Sequence, residues 1–128
     1  MKMMNGFEDL EIWGLAREIC NDVWHWMENT SLNTDYSLKN QMNASSGSIM
    51  DNIAEGFERN GNREFLQFLS IAKASCGELR SQLFRCLDRK HISQEEFERV
   101  FSKTLMQGKK IGVFMAYLKK SDRKGAKV

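Results

Sequence analysis

The sequence predicts an all-α protein, a single-domain antiparallel up-down-up-down four-helix bundle spanning residues 1–128. Three observations carry that prediction. The chain has no proline among its 128 residues, so nothing interrupts long helices. Apolar residues recur near every 3.6 positions in four stretches, each about 20–27 residues long. The segments between these stretches are short and rich in Asn, Gly, Ser and Thr, and no strand pattern competes. The eight methionines suit the irregular gaps that helices leave between them.

The first helix is expected over about residues 8–28. Leu10, Ile12, Trp13, Ala16, Ile19 and Val23 begin a broad apolar stripe that runs on to Trp26 and Met27. Glu8, Asp9 and Glu11 fall in the expected first turn, where the helix dipole favours acids. Trp24 lies about 200 degrees around the helix from Trp26, so one tryptophan points away from the core. Residues 29–34 have the composition of a loop, and Asp35 or Ser37 is positioned to cap the next helix.

The second helix, about 36–59, is the stretch around which the chain is organised. Leu38, Met42, Ile49, Ile53 and Phe57 form its apolar stripe, and Ala44-Ser45-Ser46-Gly47-Ser48 lets neighbouring helices approach. Gln41, Ser48, Asn52 and Glu55 share one face, as do Ser75 and Glu78 on the third helix. Half-buried polar groups must find partners, so these six are expected to form an interhelical network with contacts between subunits. Asn60-Gly61-Asn62 is the clearest break, with Gly61 closing one helix and Asn62 capping the next.

The third helix is expected over about 63–89, with Phe65, Leu69, Ala72, Cys76, Leu79 and Leu83 on its buried stripe. His91-Ile92 forms the turn. Ser93 and Glu96 make a capping box for the fourth helix, about 94–120, followed by a frayed basic tail, 121–128. Gly47, Gly77, Gly108 and Gly112 each cost about 1 kcal/mol inside a helix, which predicts close helix crossings.

Several chemistries are excluded by pattern. Three cysteines, Cys20, Cys76 and Cys86, show no CxxC or Cys/His metal spacing, as expected of reduced thiols in a cytoplasmic protein. No Glu is followed three residues later by His, so the di-iron bundle motif is absent and neither a metal nor a cofactor is expected. His25 and His91 have no nucleophile or carboxylate at catalytic spacing and are expected to be structural. No phosphate loop, membrane span or secretory leader is expected. Net charge is +2, but it is unevenly placed. Residues 1–58 carry three basic and ten acidic side chains, a net of −7, and residues 59–128 carry sixteen and seven, a net of +9.

Phe7, Leu10, Trp13 and Ala16 fit an F-x-x-L-x-x-W-x-x-A segment. Leu38, Gln41, Ser48-Ile49 and Asn52-Ile53-Ala54-Glu55-Gly56 follow on the second helix. Phe65, Phe68-Leu69, Ile71-Ala72, Ser75 and Glu78-Leu79 follow on the third. In these strings the chain resembles the bacterial 23S rRNA intervening-sequence protein family over residues 7 to about 118. It departs at Ser45, where alanine is usual, and at Asn43, where a basic residue is usual. That family is similar to the accessory variability protein of diversity-generating retroelements. The resemblance implies a ring-like homopentamer, a nucleic-acid ligand (RNA or DNA) and a protein partner such as a reverse transcriptase. It carries no catalytic residue. The leading expectation is therefore a non-enzymatic accessory protein that presents a basic surface to nucleic acid through Arg59, Arg63, Arg80, Arg85, Arg89, Lys109, Lys110, Lys119 and Lys120. The alternative is a protein–protein scaffold with no nucleic-acid role, its charge split satisfied between subunits.

Overall fold

The computed structural model describes residues 5–123. Four helices follow one another: α1 (Glu11–Asn29), α2 (Tyr36–Glu58), α3 (Asn62–Asp88) and α4 (Gln94–Arg123). Each packs on its chain neighbours, and α4 returns to close against α1, which gives the antiparallel bundle. Trp26, Ile19, Leu38, Met42, Ile53 and Leu79 are among the fully buried side chains of one core shared by all four helices.

The helix ends refine the expected boundaries. Leu10 is extended and buried, and it anchors the chain before α1 begins at Glu11. Glu8 and Asp9 therefore lie in a separate 3-10 turn, Phe7–Asp9, rather than in the first turn of α1. Phe7 packs on Trp13 at 5.2 Å, which fixes the entry angle. The expected loop before α2 contains a second 3-10 turn, Ser31–Thr34, closed by the Thr30 hydroxyl, which accepts from the Leu32 N–H at 3.1 Å. Of the two expected caps Asp35 is the one used, accepting from the Leu38 N–H at 3.4 Å.

Gly61, not Asn62, precedes α3, and its φ of 91° is the positive value that glycine adopts without strain. Asn62 is the first helical residue instead, and its amide donates to the Leu118 carbonyl of α4 at 3.3 Å. At its other end α3 stops on Lys90, with φ 63°. The His91 N–H reaches back to the Cys86 carbonyl and the Lys90 N–H to that of Leu87, a Schellman closure built on a non-glycine residue. The capping box before α4 forms as predicted: the Glu96 N–H donates to Ser93 Oγ at 3.1 Å, and the Ser93 N–H to Glu96 Oε1 at 3.0 Å. α4 continues through Arg123, beyond the expected end at 120, and residues 124–128 of the expected tail lie outside the described residues.

The glycines do not mark four close crossings. A methyl group at Gly47 would meet nothing within 4 Å. At Gly77, Gly108 and Gly112 it would meet only the ends of Arg80 and Lys73, at 3.4–3.6 Å. The tight approach is at Gly56, where it would lie 2.8 Å from both Phe65 Cδ1 and Phe68 Cβ. There the start of α3 crosses the end of α2.

Candidate interaction surfaces

Two polar seams hold the bundle in register. Between α2 and α3, Gln41 Oε1 accepts from the Arg85 guanidinium at 2.6 Å, the buried Ser45 hydroxyl donates to Gln82, and Ser48 meets Ser75 at 2.8 Å. Asn52 donates to the Ser48 carbonyl and hydroxyl at 2.8 and 2.9 Å. Within the subunit, Gln41, Ser48 and Ser75 of the expected network bond across the two helices, and Asn52 bonds to Ser48 within α2. Glu55 and Glu78 stand outside it. Glu55 is exposed and pairs with Arg59 one turn on, at 2.7 Å, and Glu78 is exposed on α3. Burying either carboxylate between helices would cost several kcal/mol without a cation beside it, so both face solvent.

Gln82 and Gln107 carry buried polar contacts that the sequence pattern had passed over. Both sit on the apolar stripes of their helices, and a glutamine at such a position was the available signal. Gln107 is fully buried, and its Nε2 donates to the Ile12 carbonyl of α1 at 2.7 Å.

The second seam joins α1 to α4 and consists of ion pairs. Lys103 reaches Asp22 at 2.8 Å and Glu18 at 3.4 Å, Arg99 reaches Asp22 at 3.0 Å, and Lys110 reaches Glu11 at 2.9 Å. The acidic first half and basic second half of the chain therefore neutralise each other partly within one subunit. α1 and α4 are neighbours only because the bundle closes, so residues nearly a hundred positions apart come together.

This placement breaks up the expected basic surface. Arg59 is held by Glu55 and lies over the Phe68 ring, 4.9 Å from its centroid. Arg80 lies flat between α3 and α4, its guanidinium donating to the Thr104 carbonyl at 3.4 Å. Arg85 is held by Gln41, Arg89 by Asp35 at 2.9 Å and Lys110 by Glu11. Arg63, Lys109, Lys119 and Lys120 are exposed and have no ion-pair partner among the described residues. They are scattered along α4 and at the start of α3 rather than forming one continuous stripe with the other five.

His91 is not a lone histidine. Its Nε2 lies 2.9 Å from Asp35 Oδ2, and its Nδ1 lies 2.7 Å from the Ser31 hydroxyl. A neutral ring with its proton on Nε2 satisfies both, donating to the carboxylate and accepting from the hydroxyl. The hydrogen bond from His91, and then that from Arg89, holds the Asp35 carboxyl below its ordinary value. Asp35 also caps α2, so the cluster ties the α1–α2 connection to the α3–α4 turn and works as a clamp. The three cysteines are free thiols. Burial raises the pKa of each, that of Cys86 to about 12, which leaves little thiolate for chemistry. Among the described residues no group of His, Cys, Asp and Glu is arranged to hold a metal ion. Among the described residues no helix is long and apolar enough to cross a membrane.

The exposed surface carries large apolar side chains. Val113 is 72% exposed, Tyr117 63%, and Leu105, Met106, Ile71 and Phe84 close to half. Trp24, at 57%, is the tryptophan that points away from the core. A groove of about 590 Å³ opens between the start of α1 and the second half of α4. Leu10, Ile12, Val113 and Tyr117 give it apolar walls, with Lys109 and Lys110 beside them.

The profile of the 23S rRNA-intervening sequence protein family matches residues 8–112. The chain belongs to this family. No curated relative matches it. Among solved structures it is similar to a protein of unknown function from the S23 ribosomal protein family of Bacteroides thetaiotaomicron. The identity is 17%, the TM-score 0.76, and the alignment covers 82% of this chain and 95% of that one, a likeness of fold.

In this chain most of the Asn52-Ile53-Ala54-Glu55-Gly56 string has a structural explanation. Asn52 donates to Ser48 one turn back, Ile53 is core, Glu55 steadies Arg59 over Phe68, and Gly56 admits the start of α3.

Proposed function

We propose that this protein is a non-enzymatic scaffold that assembles with copies of itself and binds other proteins. The observation that carries this reading is the apolar surface of α3 and α4. Ile71, Phe84, Leu105, Met106, Val113 and Tyr117 are each about half exposed or more on a single subunit. Met106, Val113 and Tyr117 recur at seven and four residues and so share one face of α4, and exposed apolar patches mark interaction sites. The ring-like homopentamer implied by family resemblance would use part of this surface and leave the rest to other partners. The intrachain pairing of α1 acids with α4 bases weighs in the same direction, because it withdraws cations from a nucleic-acid surface.

A second reading, nucleic-acid binding as an accessory to a partner such as a reverse transcriptase, is supported by Arg63, Lys109, Lys119 and Lys120. They are exposed and unpaired among the described residues, and repetition in a ring would multiply them.

Two measurements on the full chain separate the readings. Light scattering across a concentration series gives the assembly mass, and a mass of several subunits is expected. Fluorescence anisotropy with labelled RNA and DNA at about 50 and 200 mM salt tests the second reading. Salt-sensitive micromolar binding that falls on reversal of Lys109 and Lys120 would promote nucleic acid to the primary role. A monomer at all concentrations would refute the scaffold.

A further inference from the structure

Self-assembly leaves open which faces meet, and the charges left over after intrachain pairing narrow the choice. Asp51 and Glu58 on α2, and Lys73 and Lys119 on α3 and α4, are exposed and join no ion pair among the described residues. Asn40, Ala44, Gly47, Asp51, Ala54 and Glu58 recur every three or four residues, so they form one outer stripe of α2. That stripe is flat and small, and acidic towards the C-terminal end of α2. A second face lies between α3 and α4. Gly77 and Gly108 flank the Arg80 guanidinium, Lys73 lies over Gly112, and Leu105 stands exposed nearby. This face is shallow and basic, with apolar bulk towards its other end.

The internal contacts set the two faces on a common scale along the bundle. Ser45 meets Gln82 and Ser48 meets Ser75, so each level of α2 has a known level on α3. Arg80 beside Gly108 and Lys73 beside Gly112 carry the scale on to α4. By this scale Gly47 is level with Gly77 and Gly108, and Asp51 is level with Lys73 and Gly112. Ala44 is level with Leu105, and Glu58 with Lys119. A rotation about an axis parallel to the bundle keeps every residue at its own level. Placed side by side in that way, two copies set acid against base, glycine against glycine, and alanine against an exposed leucine, all in one register.

We propose that the outer stripe of α2 in one copy docks onto the α3–α4 face of the next, with Asp51 and Glu58 meeting Lys73 and Lys119. The proposal rests on the self-assembly reading and names its interface. The contact is head-to-tail, so each copy offers both faces and repetition builds a ring when the rotation closes. It also gives a use for Gly47, Gly108 and Gly112, whose added methyl groups would meet no clash within a subunit. Glycine at these sites lets a neighbouring helix come close.

Charge reversal in two full-length variants tests the pairing. D51K/E58K makes both faces basic, and K73E/K119E makes both acidic. All four side chains are exposed, and circular dichroism checks that the helices persist. Each variant alone is expected to associate at least about tenfold more weakly than wild type at low salt. The chain carrying all four substitutions should regain assembly, because its faces are again complementary. Wild-type chain that stays monomeric overturns both this proposal and the self-assembly reading. An oligomer indifferent to either variant overturns this interface and leaves self-assembly standing. Loss in both variants without rescue in the combined chain also refutes the pairing.

Discussion

Replacing Gly47 and Gly56 by alanine, one at a time, should move stability in opposite directions. Both sit in α2, Gly47 in its middle and Gly56 in its last turn, so the intrinsic helix gain at Gly56 is at most that at Gly47. Alanine gains about 0.5–1 kcal/mol over glycine in a helix interior, chiefly by restricting the unfolded chain. At Gly47 nothing lies within 4 Å of the new methyl group, so that gain is kept. At Gly56 the methyl would sit 2.8 Å from Phe65 Cδ1 and Phe68 Cβ, where carbon atoms pack at about 3.5–4.0 Å. Phe68 Cβ is fixed to the backbone of α3, and Phe65 packs edge-on to both Phe57 and Phe114 at 6.1 and 5.4 Å, so neither can simply step aside. Overpacking of this kind costs about 1–3 kcal/mol. The net expectation is that G47A gains about 0.5–1 kcal/mol and G56A loses about 1–2 kcal/mol. Urea unfolding followed by circular dichroism, at a dilution where light scattering finds single subunits, resolves this. With a slope of about 1–3 kcal/mol per molar urea, the two midpoints should differ by about 1 M. Equal midpoints, or a G56A chain as stable as G47A, would refute the claim that the start of α3 is pressed against α2 at this point.

Three further outcomes follow from the contacts. Lys90→Gly removes a left-handed side-chain penalty at the end of α3 and should raise stability by about 0.5–1 kcal/mol in urea unfolding; a loss would mean that the Schellman closure needs the lysine. Asp35 has a folded-state pKa below its ordinary value of 3.8, so the stability it contributes is present above that value. This contribution is lost as pH falls from there towards the folded-state pKa, and Asp35→Asn should flatten the acid limb of a stability profile measured between about pH 2 and 6. A double-mutant cycle on Asp22→Ala and Lys103→Ala should give a coupling of about 0.5–1 kcal/mol, since both groups are partly shielded from solvent; zero coupling would remove the α1–α4 ion pairs from any account of stability.

How far the sequence reached depends on which kind of contact is asked about. Helix number, order and type were legible because apolar periodicity and the absence of proline act locally. The Ser93–Glu96 capping box and the Asp35 cap were legible for the same reason. The α2–α3 seam was partly legible, since Gln41, Ser48, Asn52 and Ser75 keep helical spacing on helices that are consecutive in the chain. Glu55 and Glu78 share that spacing but turn to solvent, because the local pattern does not encode the cost of burying a carboxylate. The close approach at Gly56, and the open space at Gly47 within a subunit, could not be told apart by spacing alone. It depends on where α3 starts to cross.

The sequence alone also determined the charge split, but not its meaning. A net of −7 in one half and +9 in the other permits a nucleic-acid surface, a subunit interface or an internal seam. Only bundle closure places Asp22 beside Arg99 and Lys103, and Glu11 beside Lys110, and so removes part of the basic surface that composition suggested. The Ser31–His91–Asp35 clamp has the same origin, with partners 60 and 56 residues away in the chain. Local periodicity is set by neighbours three and four residues away, so the sequence determines it. Charge partners and clamps are set by distances across the folded bundle, and those exist only once the four helices have packed.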